Sequence, residues 1–275
     1  MTLVARMEAF ERVARAAVDE AGTLLRRTWR GTKTIHRKGA VDLVTEVDRE
    51  AESLILRHLQ GAFPDHLVIA EETPGSHGPP PADRHVWYVD PLDGTTNFAH
   101  AYPHFAISLA LGRGADLLFG IVHDPLRDET FVAHRGGGAS LNGTPIAVSP
   151  TGDLGDALLA TGFPYDRREH LEFYLGFLAD FIRRAQGVRR NGSAALDLCY
   201  VACGRLDAFW EWKLHPWDTA AGALIVREAR GAVSDFRGGP FDPHGTQTLA
   251  SNGHLHGAMV ETLVGRLAES RDAGA

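Results

Sequence analysis

Apolar residues recur from position 4 to position 29 at near-helical spacing (Val4, Met7, Phe10, Val13, Ala17, Leu24, Leu25), with Arg6, Glu8, Glu11, Arg12 and Arg15 between them. An apolar stripe on a charged background predicts a long amphipathic helix at the start of the chain. A second helix is expected over Val47 to Leu59. Short runs with strand character follow at Leu67 to Ala70, Val86 to Val89, Phe105 to Gly112, Leu117 to Val122 and Glu129 to Ala133. Short Gly, Asp and Pro turns join the last three, which suits an antiparallel meander.

After Pro150-Thr151-Gly152-Asp153 the rhythm changes to an alternation of strand and helix. Strands are expected at Ala157 to Thr161, Leu206 to Glu211, Ala232 to Asp235 and Thr248 to Ala250, and helices at 169–185, 193–203, 218–229 and finally up to 268. An α+β half with an antiparallel sheet, residues 1–150, thus precedes an α/β half, residues 151–275. The one conspicuous loop, Thr73 to Pro81, is rich in Pro and Gly and reads either as a flap or as a surface connector.

The chain has 275 residues, 44% of them hydrophobic, enough for one large core or two modest ones. A net charge of −7 without a stripe of Lys and Arg interleaved with aromatics argues against a nucleic-acid surface. Arg183-Arg184 and Arg189-Arg190 read as a solvated helix end and a site-rim or interface cluster. No apolar run reaches the ~20 residues of a membrane span, and the charged N-terminal segment is unlike a signal peptide, so a cytoplasmic protein without membrane contact is expected. The two cysteines, Cys199 and Cys203, read as packing residues in a helix.

Candidate chemistry concentrates in Asp90-Pro91-Leu92-Asp93-Gly94-Thr95-Thr96-Asn97-Phe98. The β-favouring run Val86 to Val89 puts Asp90 at the carboxyl end of a strand, where Pro91 is expected to stop the ladder. Two carboxylates and a free carbonyl in one turn make a cradle for hard divalent cations, and Gly94-Thr95 offer backbone amides to an anion. Alone, Pro-x-Asp-Gly is a common turn. Asp48, Glu71-Glu72 and Asp218 change its weight, because each sits at the end of an apolar run or the start of a helical one. Asp218 and Asp48 can equally serve as helix caps. Glu211, between Trp210 and Trp212, can equally be an outward strand residue.

These residues resemble the inositol monophosphatase family of Mg-dependent, lithium-sensitive sugar-phosphate phosphatases, especially its bacterial branch. The resemblance rests on Asp42-Leu43-Val44-Thr45 with Asp48, Ala70-Glu71-Glu72, Asp90 through Phe98, Gly192-Ser193-Ala194-Ala195, and Trp217-Asp218 through Gly222, five motifs in family order. It implies a layered αβαβα sandwich and two or three Mg²⁺ ions. One ion would lie on Glu71, Asp90 and the Leu92 carbonyl, and a second on Asp90, Asp93 and Asp218. Thr95, oriented by Asp48, would hold the attacking water, which makes Thr95, Asp48 and Glu71 the catalytic set. Gly94 and Thr95 would bind phosphate, and Asp93, Ala194 and Glu211 the substrate. The resemblance also implies a small phosphate ester as partner and a homodimer.

Two departures stand out. Ala70 replaces a glycine, and Trp212-Lys213 replaces a smaller, less charged segment at the pocket rim. Thr96-Asn97-Phe98 carries no Lys or Arg where bisphosphate nucleotidases and histidinol phosphatases of the superfamily tend to, which favours the inositol monophosphatase branch and a polyol phosphate; the alternatives within the superfamily are a histidinol phosphatase or a phosphatase of NADP or fructose bisphosphate, which some family members also hydrolyse. A reading of another class is a regulatory binding protein with incidental phosphatase activity.

Overall fold

A computed structural model describes residues 3–31, 35–37, 43–73 and 80–272. Asp42 of the first acidic motif and residues 74–79 of the Pro-Gly loop lie outside these. The chain opens with α1 (Leu3–Thr28), β1 (Ile35–Arg37), β2 (Leu43–Thr45), α2 (Glu46–Ala62), β3 (Leu67–Ala70), β4 (His85–Asp93) and the short α3 (Thr95–Ala99). The meander follows as β5 (Ala106–Arg113), β6 (Asp116–Asp124) and β7 (Glu129–His134), extended by β8 (Gly138–Leu141) and β9 (Thr144–Pro145). The second half contains β10 (Leu158–Thr161), α4 (Leu171–Arg184), β11 (Gly187–Arg189), α5 (Ala194–Ala202), β12 (Ala208–Trp212), α6 (Pro216–Glu228), β13 (Ala232–Ser234), β14 (Gln247–Ser251) and α7 (His256–Asp272).

Seven strands form one sheet in the order β3-β4-β5-β6-β7-β8-β9, and five form another in the order β11-β10-β12-β14-β13. Each sheet is mixed. Parallel pairs β3/β4, and β10 with both β11 and β12, join antiparallel neighbours.

Strand alternation sorts the side chains into layers. Trp87 and Val89 of β4, with Ile107 and Leu109 of β5, face α1 and α2. Val86, Tyr88, Ala106 and Ala110 face the other way, into a core shared with α5, α6, Phe209 and Ala250. Beyond the second sheet, Leu159, Trp210 and Leu249 pack against Phe177 and Phe181 of α4 and Met259 and Leu263 of α7. The result is the αβαβα sandwich, and its central core draws on residues before and after position 150.

Helix α6 lies in the middle layer and is buried from Thr219 to Val226, as a helix apolar on every face must be. Gly222 makes its approach to α5 possible, since a Cβ there would sit 2.5 Å from the Leu198 Cβ. The strands at 138–141, 144–145 and 187–189 are not evident in the sequence. They are short and lack the alternating β-branched residues by which strands are recognised.

Candidate active site

The parallel pairing of β3 with β4 sets Ala70 beside Val89. Glu71 and Asp90, the next residues of each strand, therefore emerge side by side at the carboxyl ends. Glu71 keeps the pairing one step further, its amide donating to the Val89 carbonyl at 3.1 Å.

Pro91 does not end the ladder, contrary to the expectation from sequence. Asp90 pairs with Ser108 and Asp93 with Ala106, so three steps on β4 match two on β5. The proline supplies no amide, and the Leu92 amide turns to the Asp90 Oδ1 at 2.9 Å. This is a bulge, and it re-aims side chains. In a regular strand residues three apart point to opposite faces; here Asp90 and Asp93 both line one cavity.

Gly94 then turns the chain into α3 with φ +100°, where a Cβ would lie 3.1 Å from the His104 carbonyl oxygen and 3.2 Å from that of Gly192. Only glycine suits that position. The Asn97 side-chain amide ties the turn to the opposite half, donating to the carbonyls of His104 (2.7 Å) and Asn191 (2.9 Å).

Asp48 and Asp218 both occupy the third position of a helix and close a capping box. Asp218 accepts the His215 amide at 2.7 Å, and Asp48 Oδ2 accepts the Thr45 amide at 2.9 Å and the Thr45 hydroxyl. The capping and functional readings are thus compatible, because each cap engages one carboxylate oxygen. The Asp48 Oδ1 accepts the Thr95 hydroxyl at 2.9 Å. That hydroxyl also lies 3.1 Å from the Leu92 carbonyl, but its single proton favours the carboxylate.

Asp93 is held from the second half of the chain. Its Oδ2 accepts the Ser193 hydroxyl at 2.6 Å and the Ala195 amide at 2.7 Å at the N-terminus of α5. Ala194 and Asp218 line the same cavity, about 310 Å³, together with Glu71, Asp90, Asp93, Gly94, Thr95 and Glu211. Among the expected site residues only Asp48 lies outside the lining, one hydrogen bond behind Thr95. Glu211 is 9% exposed and lines the cavity, so it is not an outward strand residue.

Charge is crowded here. Burial pushes the Asp90 carboxyl well above the usual carboxylate range, and the charges of Glu71, Asp93 and Asp218 push it further. Burial raises Asp93 to about 6 against the pull of Ser193 and Ala195, and raises Asp218 to about 7 with help from Asp93. Asp48 rises to about 6 by burial, offset by its threonine partners. Glu211 goes well up by burial, while Arg190 opposes the shift. The Asp93 charge adds to the rise at Asp218, and the charges of Glu71, Asp93 and Asp218 add to the rise at Asp90, so the four carboxyls disfavour one another's ionised forms.

An all-oxygen donor set of this kind fits a hard divalent cation. Among the described residues no three His, Cys, Asp or Glu side chains close into a finished cage.

Several residues at the site escape motif reasoning. Asp197 is buried and raised to about 8, chiefly by burial, and accepts the Asn191 amide at 2.6 Å. Arg167 and Arg190 line the cavity, and Glu52 of α2 accepts the Glu72 backbone amide and the Thr73 side-chain hydroxyl. Asp197 and Arg190 adjoin the Gly192 to Ala195 motif, where Arg190 reads with Arg189 as a site-rim or interface cluster, and Glu52 follows Asp48 by one turn, whereas Arg167 lies near no motif. Of the histidines, His215 lines the cavity and stacks on Trp217, whereas His104 is buried elsewhere and His100 is exposed. Cys199 is buried and Cys203 half-buried, and burial pushes both thiols up, as packing residues require.

A layered sandwich with an acid-floored cavity at its strand ends places the chain among the α/β phosphatases. The model of the inositol monophosphatase family matches residues 6–268, and the chain belongs to that family, whose members are generally metal-dependent. It is 45% identical to an inositol-1-monophosphatase of Synechocystis over 91% of this chain and 87% of that one. It is 42% identical to the Nus factor SuhB of Pseudomonas aeruginosa over 94% and 96% of the two chains. A crystal structure of the extragenic suppressor protein suhB from Bartonella henselae superposes with a TM-score of 0.87 at 39% identity, covering 93% of this chain and 98% of that one. The protein is a phosphatase. Among the described residues no helix is long and apolar enough to cross a membrane.

Proposed function

We propose that this phosphatase is an Mg²⁺-dependent phosphomonoesterase acting on myo-inositol monophosphate or a related small polyol phosphate. The observation that carries the reading is the Asp48–Thr95 hydrogen bond of 2.9 Å beside four crowded carboxylates. Glu71, Asp90 and the Leu92 carbonyl, with Asp93 and Asp218, would hold the Mg²⁺ ions, which when bound neutralise the phosphate and make water more acidic. Thr95, its proton committed to Asp48, turns a lone pair to the attacking water and orients it for in-line attack. The Gly94 and Thr95 amides receive phosphate oxygens. On the far wall, Glu211 and the backbone around Ala194 receive the hydroxyls of the leaving group.

Metal and phosphate binding thus fall to residues 1–150 and recognition to 151–275, with Asp218 as the exception. The test is phosphate release from myo-inositol 1-phosphate, histidinol phosphate, fructose 1,6-bisphosphate, NADP and adenosine 3′,5′-bisphosphate, with and without Mg²⁺. Preference for the inositol ester with Mg²⁺ is expected; Mg²⁺-independent turnover, or none on any ester, rejects the reading.

The relatives named Nus factor favour a second reading, a regulatory partner role alongside catalysis. Asp93→Asn separates the two, because a partner role survives the loss of turnover. A homodimer completes the proposal, and the exposed apolar row Leu171, Leu175 and Ile182 on α4 is a face it would cover. Light scattering at the monomer mass rejects it.

A further inference from the structure

Helix α2 carries two buried carboxylates one turn apart, Asp48 at 0% and Glu52 at 4% exposure. Residues four apart lie on one helix face, so both point toward the loops of the site. Asp48 reaches Thr95 on the acidic turn. Glu52 reaches the neighbouring loop: its Oε2 accepts the Glu72 amide at 2.8 Å and its Oε1 accepts the Thr73 hydroxyl at 2.5 Å. The loop is thereby fixed on both sides of Glu71, by the Val89 carbonyl before it and by Glu52 after it.

We propose that Glu52 is a positioning residue for the Glu71 side of the cation site, and that α2 acts as a splint setting Glu71 and Thr95 at a fixed distance. This inference rests on the functional reading above. A buried carboxylate that accepts an amide and a hydroxyl from the adjoining loop ties that loop to α2. It grips the loop next to Glu71 rather than the Glu71 carboxylate, and its analogues are the hydrogen-bonded partners of metal-binding side chains, whose loss weakens metal binding or activity about 10- to 100-fold. The strand itself ends just before Glu71, since β3 stops at Ala70 and the Glu71 amide carries the pairing on to the Val89 carbonyl, so the Glu52 contacts extend the restraint past Glu71.

Three variants test it by Mg²⁺ titration of thermal unfolding, with turnover as a second readout. Glu52→Gln keeps the shape but sets an NH₂ against one of the two donors, and Thr73→Val removes the hydroxyl donor while keeping the branched side chain. Thr73→Ser restores the donor. The expected result is a Mg²⁺ half-saturation raised about 10- to 100-fold in Glu52→Gln, raised less in Thr73→Val, and near wild type in Thr73→Ser. Wild-type half-saturation in both Glu52→Gln and Thr73→Val, or a shift only in the metal-free melting temperature, overturns the proposal and leaves Glu52 a structural clamp. Should Glu52→Gln fail to fold, the valine and serine pair decides. A wild-type protein without any Mg²⁺ response overturns the functional reading and this inference with it.

Discussion

Two parallel strand pairs, β3/β4 from one sheet and β10/β12 from the other, meet the same cavity with their carboxyl ends, yet they deliver opposite chemistry. At the first, Glu71 and Asp90 leave the strands side by side and the bulge adds Asp93, so negative charge is stacked on negative charge. At the second, Thr161 pairs with Trp210, and the next residues are Gly162 and Glu211. A Cβ on Gly162 would lie 2.0 Å from the Glu211 Oε2, so the glycine yields its space to the carboxyl of its neighbour. One topology therefore builds a floor that calls for cations and a wall that shapes a recess. The difference lies in whether the residue beside the carboxylate is another acid or no side chain at all.

The sharpest way to break this comparison is to remove one acid from the floor. Asp93→Asn takes a charge from the cluster and weakens the clamp from Ser193 and Ala195. The expected outcome is a fall in kcat of about 100-fold or more, the upper range for perturbing a metal-binding shell, and a similar fall for every ester tested. Phosphate-release kinetics on at least three esters check it. A fall confined to one leaving group would place Asp93 with the wall.

A change in the wall has the reverse signature. Glu211→Ala removes a buried carboxyl from the wall and keeps every acid of the floor in place. We expect kcat/KM for inositol 1-phosphate to fall about 10- to 100-fold, the equivalent of one hydrogen bond to a charged or buried partner of ~1.5–3 kcal/mol. Turnover of p-nitrophenyl phosphate, which offers no hydroxyls on its leaving group, should change little. Equal losses on both substrates would make Glu211 part of the floor's electrostatics.

The floor was far more legible in the sequence than the wall. Glu71, Asp90, Asp93 and Asp218 lie in short acidic motifs, the first three after apolar strand runs and the last at a helix start, and all four line one cavity. Helices α1, α2 and α4 were equally plain, because they carry sustained periodic patterns, whereas α5 and α6 are apolar nearly all round and show themselves by length. Glu52 was not legible, since its partners are 20 and 21 residues away and nothing in a helix marks a carboxylate that bonds a distant loop. Arg190 reads with Arg189 as a site-rim or interface cluster and does line the cavity, whereas Asp197 escaped because an acid inside an apolar helical run carries no motif of its own. The bulge at Pro91 was misjudged because a missing amide reads locally as a strand end, whereas β5 continues past it and recaptures Asp93.

The crowding of the floor also sets a pH dependence, the mildest of these effects. Asp93, Asp218 and Asp197 rise to about 6, 7 and 8, mainly by burial, against ~3.9 in an unfolded chain. Their folded forms hold protons more tightly than the unfolded chain does. The stability this brings is full below ~pH 4 and is lost as pH climbs through 6 to 8. Metal-free protein should therefore melt at progressively lower temperature between pH 5 and pH 8. Mg²⁺ competes with those same protons, so its stabilisation should grow over the same interval. At pH 8, Mg²⁺ at a hundred times its Kd should add ~2.7 kcal/mol, or about 5–10 °C in Tm, and distinctly less at pH 5. Calorimetry at the two pH values, with Mg²⁺ and with a chelator, measures both slopes. A Mg²⁺ shift independent of pH would mean that the floor is already charged and open at pH 5, and that burial is not what holds its protons.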